Sequence, residues 1–278
     1  MQLIQRLRQT LAGSRLETGL RRLGLGRPLL ALYERRLLAR GRQRVSAFGF
    51  QLEFLARTKA ELTRVDMAGH HEPDLVARFL ACLRQNDVVY DVGANIGVFS
   101  VLAARRLNRL GGGEVLAVEP NPLIADTAAR NLALNSVAGV KTRVVATALG
   151  DTAGVGWLLT AGDGAEGKDR LTYRTGAGVG VTQVLVRCGD DLVRETRLWP
   201  NVIKIDVEGG ELAVLGGFSE SFGIRDLRDV FVEVHPDLLR SQGASAGDIV
   251  AFMREHGFQS AWHAPRGTEI HYHFERTE

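Results

Sequence analysis

Cysteine is scarce in this chain: Cys82 and Cys188 are the only two in 278 residues. Two thiols make no disulfide framework, and their spacing suits no structural zinc. Both read as buried or half-buried groups of a reducing compartment. Long apolar runs are missing too. None reaches the ~18 residues of a membrane span, and no apolar core follows the N-terminus as a secretory signal requires. The expected location is the cytoplasm. Net charge is small, +3. The most basic stretch lacks the interleaved aromatics of a single-strand nucleic-acid groove, so no nucleic-acid partner is expected. What remains, 45% hydrophobic and 24% charged residues, is ordinary globular composition. The length fits one large domain with a small extension, at ~100–200 residues per domain.

The small net charge hides an asymmetry. Residues 1–44 carry eleven Arg against Glu17 and Glu34, a local charge of +9 that leaves −6 for the rest. Leu3, Ile4, Leu7 and Leu11 share one helical face, so this arm reads as helical throughout, with a break at Arg27-Pro28. Two uses stay open: packing on the body or on a second subunit of a homo-oligomer, and peripheral contact with an anionic membrane surface. Phe48, Phe50, Leu52 and Phe54 then alternate with polar or small residues, as a strand does. The expected division is an arm and small β element over 1–69, followed by the main domain over 70–278.

The main domain is organised around Val88-Val89-Tyr90-Asp91-Val92-Gly93-Ala94-Asn95-Ile96-Gly97. This reads as a buried strand, a glycine turn and a helix start. Gly93 permits a sharp turn close to a ligand, and Gly97 lets the helix pack tightly on the strand. Glu119 ends the next strand 22 residues past Gly97, near the ~20 expected of a carboxylate that accepts from ribose hydroxyls. The turn does not follow the GxGxxG order of dinucleotide sites. Asp91 at the strand end would repel phosphates and attract an ammonium or sulfonium group, which favours S-adenosylmethionine over NAD.

The units then repeat as strand 114–119, helix 122–135 and strand 142–148, which implies a parallel, doubly wound sheet. Asn121 is the expected N-cap of the second helix. Leu149, with Asp151 after it, suits an adenine slot, and a simple turn explains it nearly as well. Residues 151–187 break the alternation: two strands flank a Gly-rich stretch, 161–180, readable as a lid loop or as a segment without a role. The fourth strand ends at Asp206, so Asp91, Glu119 and Asp206 are expected at one crevice beyond the strand ends. Three carboxylates there repel one another, and a cationic ligand removes that objection. Lys204, inside the strand, either snorkels or pairs with an acid to position substrate. His235 ends the fifth strand and titrates near neutrality, which suits proton removal. Glu72 either faces the cofactor's amino group or favours the helix that starts at Pro73. His271 and His273, two apart on the last strand, read as a solvated face, and no metal site is expected.

Together these residues resemble the FkbM family of S-adenosylmethionine-dependent methyltransferases. The resemblance rests on Asp91 to Gly97, Val118-Glu119-Pro120-Asn121-Pro122, Asn131 to Asn135, and Ile203-Lys204-Ile205-Asp206-Val207-Glu208-Gly209. Glu72 and Glu233-Val234-His235 agree, and residues 70–260 are covered. One departure is Cys188-Gly189-Asp190-Asp191-Leu192, with Gly where the family often has Leu. The resemblance implies an α/β, Rossmann-like class I methyltransferase fold whose last strand is antiparallel. It implies that Asp91, Gly93, Asn95 and Gly97 form the cofactor turn, that Glu119 takes the ribose and that Asp206 lies close to the sulfonium; Glu72, Asn121 and Leu149, on the readings above, are the further candidates for the cofactor site. It also implies O-methylation of a sugar, glycolipid or natural-product hydroxyl. The candidates for proton removal are His235, Asp206 and Glu208, with Lys204 as a positioning group. A nicotinamide-dependent oxidoreductase and a non-catalytic, membrane-peripheral domain are the alternatives.

Overall fold

The computed structural model describes residues 35–70, 72–159, 170–172 and 181–277. The arm's first 34 residues, where the helical reading mostly falls, lie outside these. The chain forms two units, Met1–Glu72 and Pro73–Glu278.

In the first unit, residues 35–40 are helical, and a hairpin of β1 (Arg42–Ala47) and β2 (Phe50–Leu55) follows. The single β element expected here is thus two strands, with Phe48 and Gly49 in the turn at positive φ. Arg42 and Arg44, read as helical, lie on β1 and reach Glu53 across the pair at 3.4 and 3.3 Å. Helix α1 (Lys59–His70) opens on a reciprocal cap: Thr58 N–H donates to Glu61, and Glu61 N–H donates to the Thr58 hydroxyl.

The second unit runs α2 (Pro73–Cys82), β3 (Val88–Val92), α3 (Val98–Leu110), β4 (Gly113–Val118), α4 (Pro122–Leu134) and β5 (Val140–Val145). It continues with β6 (Ala148–Leu149), β7 (Gly154–Leu159), β8 (Arg170–Thr172), β9 (Val181–Arg187), α5 (Gly189–Thr196), β10 (Val202–Asp206) and α6 (Glu211–Gly216). Then follow β11 (Asp229–Val234), α7 (Pro236–Ser241), α8 (Ala246–Glu255), β12 (Phe258–Arg266) and β13 (Glu269–Arg276). The main sheet has the order β12-β13-β11-β10-β3-β4-β5. Only β13 runs antiparallel to its neighbours, as the resemblance implies for the last strand. The order reverses between β3 and β10, the place where open α/β sheets bind ligands.

The strands alternate strictly, and both faces are covered. Tyr90, Val92, Ile203, Ile205, Val230, Val232 and Phe274 point into one core with Phe218, Phe222 and Met253. The opposite face is polar and still buried: Asp91, Lys204, His271 and His273 are each under 5% exposed. Phe79 of α2 and Phe99 of α3 pack on this face, with Phe79 also against Phe231. The two histidines are therefore not a solvated strand face. His273 Nε2 donates to Asp229 Oδ1 at 2.9 Å, and His271 stands 3.4 Å from Glu233.

The third strand stops at Val145 rather than 148. Ala148–Leu149 instead joins a four-stranded sheet of order β6-β9-β7-β8. Of the stretch read as a lid loop, the three described residues 170–172 form strand β8, paired with β7; the rest lies outside the described residues. Gly189, where the family pattern has Leu, lies under the ring of Phe218. A Cβ there would come within 2.5 Å of that ring, so no larger side chain fits without moving it.

Candidate active site

The glycine turn is held by backbone bonds and shaped by three left-handed residues. Gly93, Asn95 and Gly97 have φ of 74°, 52° and 83°. The N–H groups of Gly93 and Ala94 both donate to the Val118 carbonyl, which fixes the turn to the end of β4. Gly93 is needed twice. Beyond its positive φ, a Cβ would stand 1.9 Å from the backbone oxygen of Asp206, so β3 and β10 touch here with no room for a side chain. Gly97 serves a different partner from the one expected. Its open side faces Ala128 of α4, 3.4 Å from where a Cβ would be, not the strand behind it. Asn131 of α4, fully buried, donates from Nδ2 to the Ile96 carbonyl at 2.8 Å.

Glu119 lies at the foot of this turn. Its Oε2 accepts from the Asn95 N–H and its Oε1 from the Asn121 N–H, each at 2.9 Å. Asn121 caps α4, its Oδ1 accepting from Leu123 N–H at 3.1 Å. Leu149 is 5% exposed and belongs to the main core cluster.

Asp91 does not face the crevice. It has no exposed surface, its Oδ2 accepts from the Ser100 hydroxyl at 2.6 Å, and its Oδ1 lies 3.5 Å from Lys204 Nζ. The ammonium of Lys204 also donates to Asp206 Oδ2 at 3.2 Å and sits 4.8 Å over the Phe99 ring. Burial draws the Lys204 pKa down, but the carboxylates of Asp206, Asp91 and Glu233 outweigh it and hold the amine charged. The repulsion expected among three acids is thus relieved from within: Lys204 joins Asp91 to Asp206, and two backbone N–H groups hold Glu119. A cationic ligand is not required to explain why these acids tolerate one another.

At the neighbouring strand end, His235 bridges two acids. Its Nδ1 lies 2.6 Å from Glu211 Oε1, and its Nε2 lies 3.4 Å from Glu208 Oε2. One donor atom each from His235, Asp206 and Glu233 falls within 4.8 Å of the others. Burial lowers the His235 pKa, and Glu211, Glu208 and Asp206 more than reverse this, raising it to about 9. At neutral pH the ring is therefore mainly the cation, with both nitrogens donating. That corrects the expectation of a histidine titrating near neutrality. Among the described residues, Gly93, Asp206, Glu208 and His235 converge at the switch point, Glu119, Asn95 and Asn121 flank them, and Asp91 and Lys204 lie beneath. Glu72 ends the first unit, next in sequence to α2. The sequence reading missed Ser100, which holds Asp91, and Glu211, which holds His235. For the second, the sequence offered only a further acid three residues past Glu208, at the first position of α6.

A family model for the FkbM methyltransferase domain matches residues 91–260. Hexuronic acid methyltransferase AglP of Haloferax volcanii is 30% identical over 190 residues, covering 67% of this chain and 72% of that protein. The 31-O-demethyl-FK506 methyltransferase FkbM of Streptomyces tacrolimicus is 32% identical over 220 residues, covering 68% and 80%. Among solved structures, methyltransferase FkbM from Methylobacillus flagellatus is 18% identical, covers 70% of this chain and 45% of that one, and superposes with a TM-score of 0.45. With most of the chain matched by the family model, and two relatives at or above 30% identity aligned over most of their length, this protein belongs to the FkbM methyltransferase family.

Proposed function

We propose that the chain transfers a methyl group from S-adenosylmethionine to a hydroxyl of a sugar or natural product, the acceptors that the names of its relatives point to. The observation that carries the donor reading is Glu119. It is a carboxylate fixed by two backbone N–H groups beside a turn of left-handed residues, at the strand ends where a ribose diol would meet it. Asn95 and Gly97 shape the same turn, and Asp206 borders it through Gly93. The donor, when bound, supplies an electrophilic methyl: its C–S bond breaks as the C–O bond forms, the electron pair goes to sulfur, and the hydroxyl proton must be taken up. The acids at the switch point favour a ligand carrying positive charge.

Proton uptake falls to the neutral form of His235, whose Nε2 then presents a lone pair. Base assistance of this kind contributes roughly 10²–10⁴-fold. Asp206 is tied to Lys204 and Glu208 faces His235, so both tune the charge of the crevice. Lys204 holds Asp91 and Asp206 in place through its ammonium, 3.5 and 3.2 Å away.

Isothermal calorimetry with S-adenosylhomocysteine and, separately, NAD tests the donor. Heat with the first and none with the second is expected. No heat with S-adenosylhomocysteine would refute the reading. Transfer of labelled methyl from S-adenosylmethionine to a hexuronic acid or to a neutral polyol hydroxyl tests the acceptor class.

A further inference from the structure

We infer that Glu211 is a positioning residue for the reaction: it fixes the tautomer of His235, with the proton on Nδ1, so that Nε2 is the atom offered to the crevice. The inference rests on the proposed role of His235. Glu211 is completely buried at the first position of α6. Its Oε1 accepts from the Gly209 N–H at 3.0 Å and meets His235 Nδ1 at 2.6 Å. Its Oε2 has no hydrogen-bond partner among the described residues.

A buried carboxylate with one oxygen unmatched is costly, and an apolar residue would pack there at less expense. Burial alone raises the Glu211 pKa, and the bond to His235 opposes that. The short contact with His235 is the largest compensation Glu211 has, ahead of the Gly209 N–H, so the pair is built for the imidazole. With the Glu211 carboxylate 2.6 Å from Nδ1 and the Glu208 carboxylate 3.4 Å from Nε2, the neutral ring keeps its proton on Nδ1, because the other tautomer would set two lone-pair acceptors against each other at the shorter distance. From the other side, Nε2 is faced by Glu208, and Asp206 and Glu233 complete the surroundings. The cations beside these acids are Lys204, 3.2 Å from Asp206, and Arg266, 3.5 Å from Glu233. Loss of the Nε2 proton from the cation therefore creates a base aimed at the crevice, while the Nδ1 proton stays on the Glu211 side.

Nitrogen-15 imidazole titration of the full chain, from about pH 6 to about pH 11, tests this. His235→Gln identifies the resonance. The expected midpoint in the unaltered chain is near 9, and the neutral form carries its proton on Nδ1. Glu211→Gln keeps an acceptor for Nδ1–H and removes the charge, so the midpoint should fall by about one pH unit or more. A midpoint unmoved in Glu211→Gln, or a neutral form protonated on Nε2, overturns the inference. Where Glu211→Gln does not fold, the tautomer in the unaltered chain decides alone. Calorimetry with S-adenosylhomocysteine on the same samples reports separately on the donor: an absence of heat refutes the donor reading and leaves the Glu211–His235 assignment standing.

Discussion

Replacing Lys204 by Met should destabilise the fold by about 3–5 kcal/mol, the usual cost of removing one partner from a buried ion pair. The structure allows the figure to be worked. Lys204 is 4% exposed and Asp91 0%. The ammonium lies 3.5 Å from Asp91 and 3.2 Å from Asp206. At an effective dielectric of about 20, each contact is worth roughly 5 kcal/mol of Coulomb energy. Desolvating the lysine offsets part of the sum. Met fills most of the same volume, so the cavity contribution is small. What remains is the buried Asp91 carboxyl, with Ser100 its only other side-chain hydrogen-bond partner among the described residues. Urea unfolding followed by circular dichroism gives the number, and the melting temperature should fall by about 6–20 °C, at ~2–4 °C per kcal/mol for a chain of this size. Adding Asp91→Asn to Lys204→Met should restore part of the loss, with a coupling of about 1–3 kcal/mol. A cost below about 1 kcal/mol, or strict additivity of the two changes, would refute the account of Lys204 as a buried counter-ion.

Three more outcomes follow from the same geometry. Gly93→Ala, with its Cβ 1.9 Å from the Asp206 oxygen, should lower stability by more than about 3 kcal/mol. Gly139→Ala, at φ 84° with open space around it, should cost only about 1 kcal/mol; equal effects in thermal melts would show that the contact with Asp206 is not what matters at Gly93. Glu119→Gln should weaken S-adenosylhomocysteine binding by about 10–100-fold in calorimetry, the loss of a charged hydrogen-bond acceptor, and unchanged affinity would remove Glu119 from the site. The raised His235 pKa makes two pH statements. A cation favoured by folding contributes stability that is complete below about 6.5 and lost as pH rises through about 9, so unfolding free energy should decline over that window and do so less in His235→Gln. Methyl transfer should climb over the same window, as the neutral ring accumulates; a flat profile would exclude His235 as the base.

The fold was legible in the sequence wherever glycine, capping and periodicity agreed. Gly93, Asn95 and Gly97 mark one turn, Asn121-Pro122 marks one helix start, and both lie where they were read. The third strand was misjudged because Val140 to Leu149 is apolar enough to read as one strand, although Ala148 and Leu149 pair with β9 in another sheet. Only the long-range partner distinguishes the two, and local pattern does not carry that information. The hairpin of the first unit was missed for a similar reason: Arg42 and Arg44 suit a basic helix as well as they suit an exposed strand row, until Glu53 opposite them is known.

The site was harder to read because its acids do different work at the same kind of position. Asp91, Glu119 and Asp206 all lie at strand ends, which suggested one negatively lined pocket. Alternation decides otherwise. Asp91, Lys204 and Phe231 fall at paired register positions on one face of β3, β10 and β11, and α2 and α3 cover that face through Phe79 and Phe99. A polar strand face normally means solvent. Once it is covered, each polar group on it needs a partner within reach, and the chain supplies them: the Lys204 ammonium for Asp91 and Asp206, and the imidazoles of His273 and His271 beside Asp229 and Glu233. Glu119 and Glu208 reach the crevice from past the ends of β4 and β10, and Asp206, the last residue of β10, borders it while paired to Lys204. Position within the pleat therefore separates the carboxylates that hold the sheet together from those that face a ligand. A mismatch at Asp91 should register first in stability, and one at Glu119 first in binding.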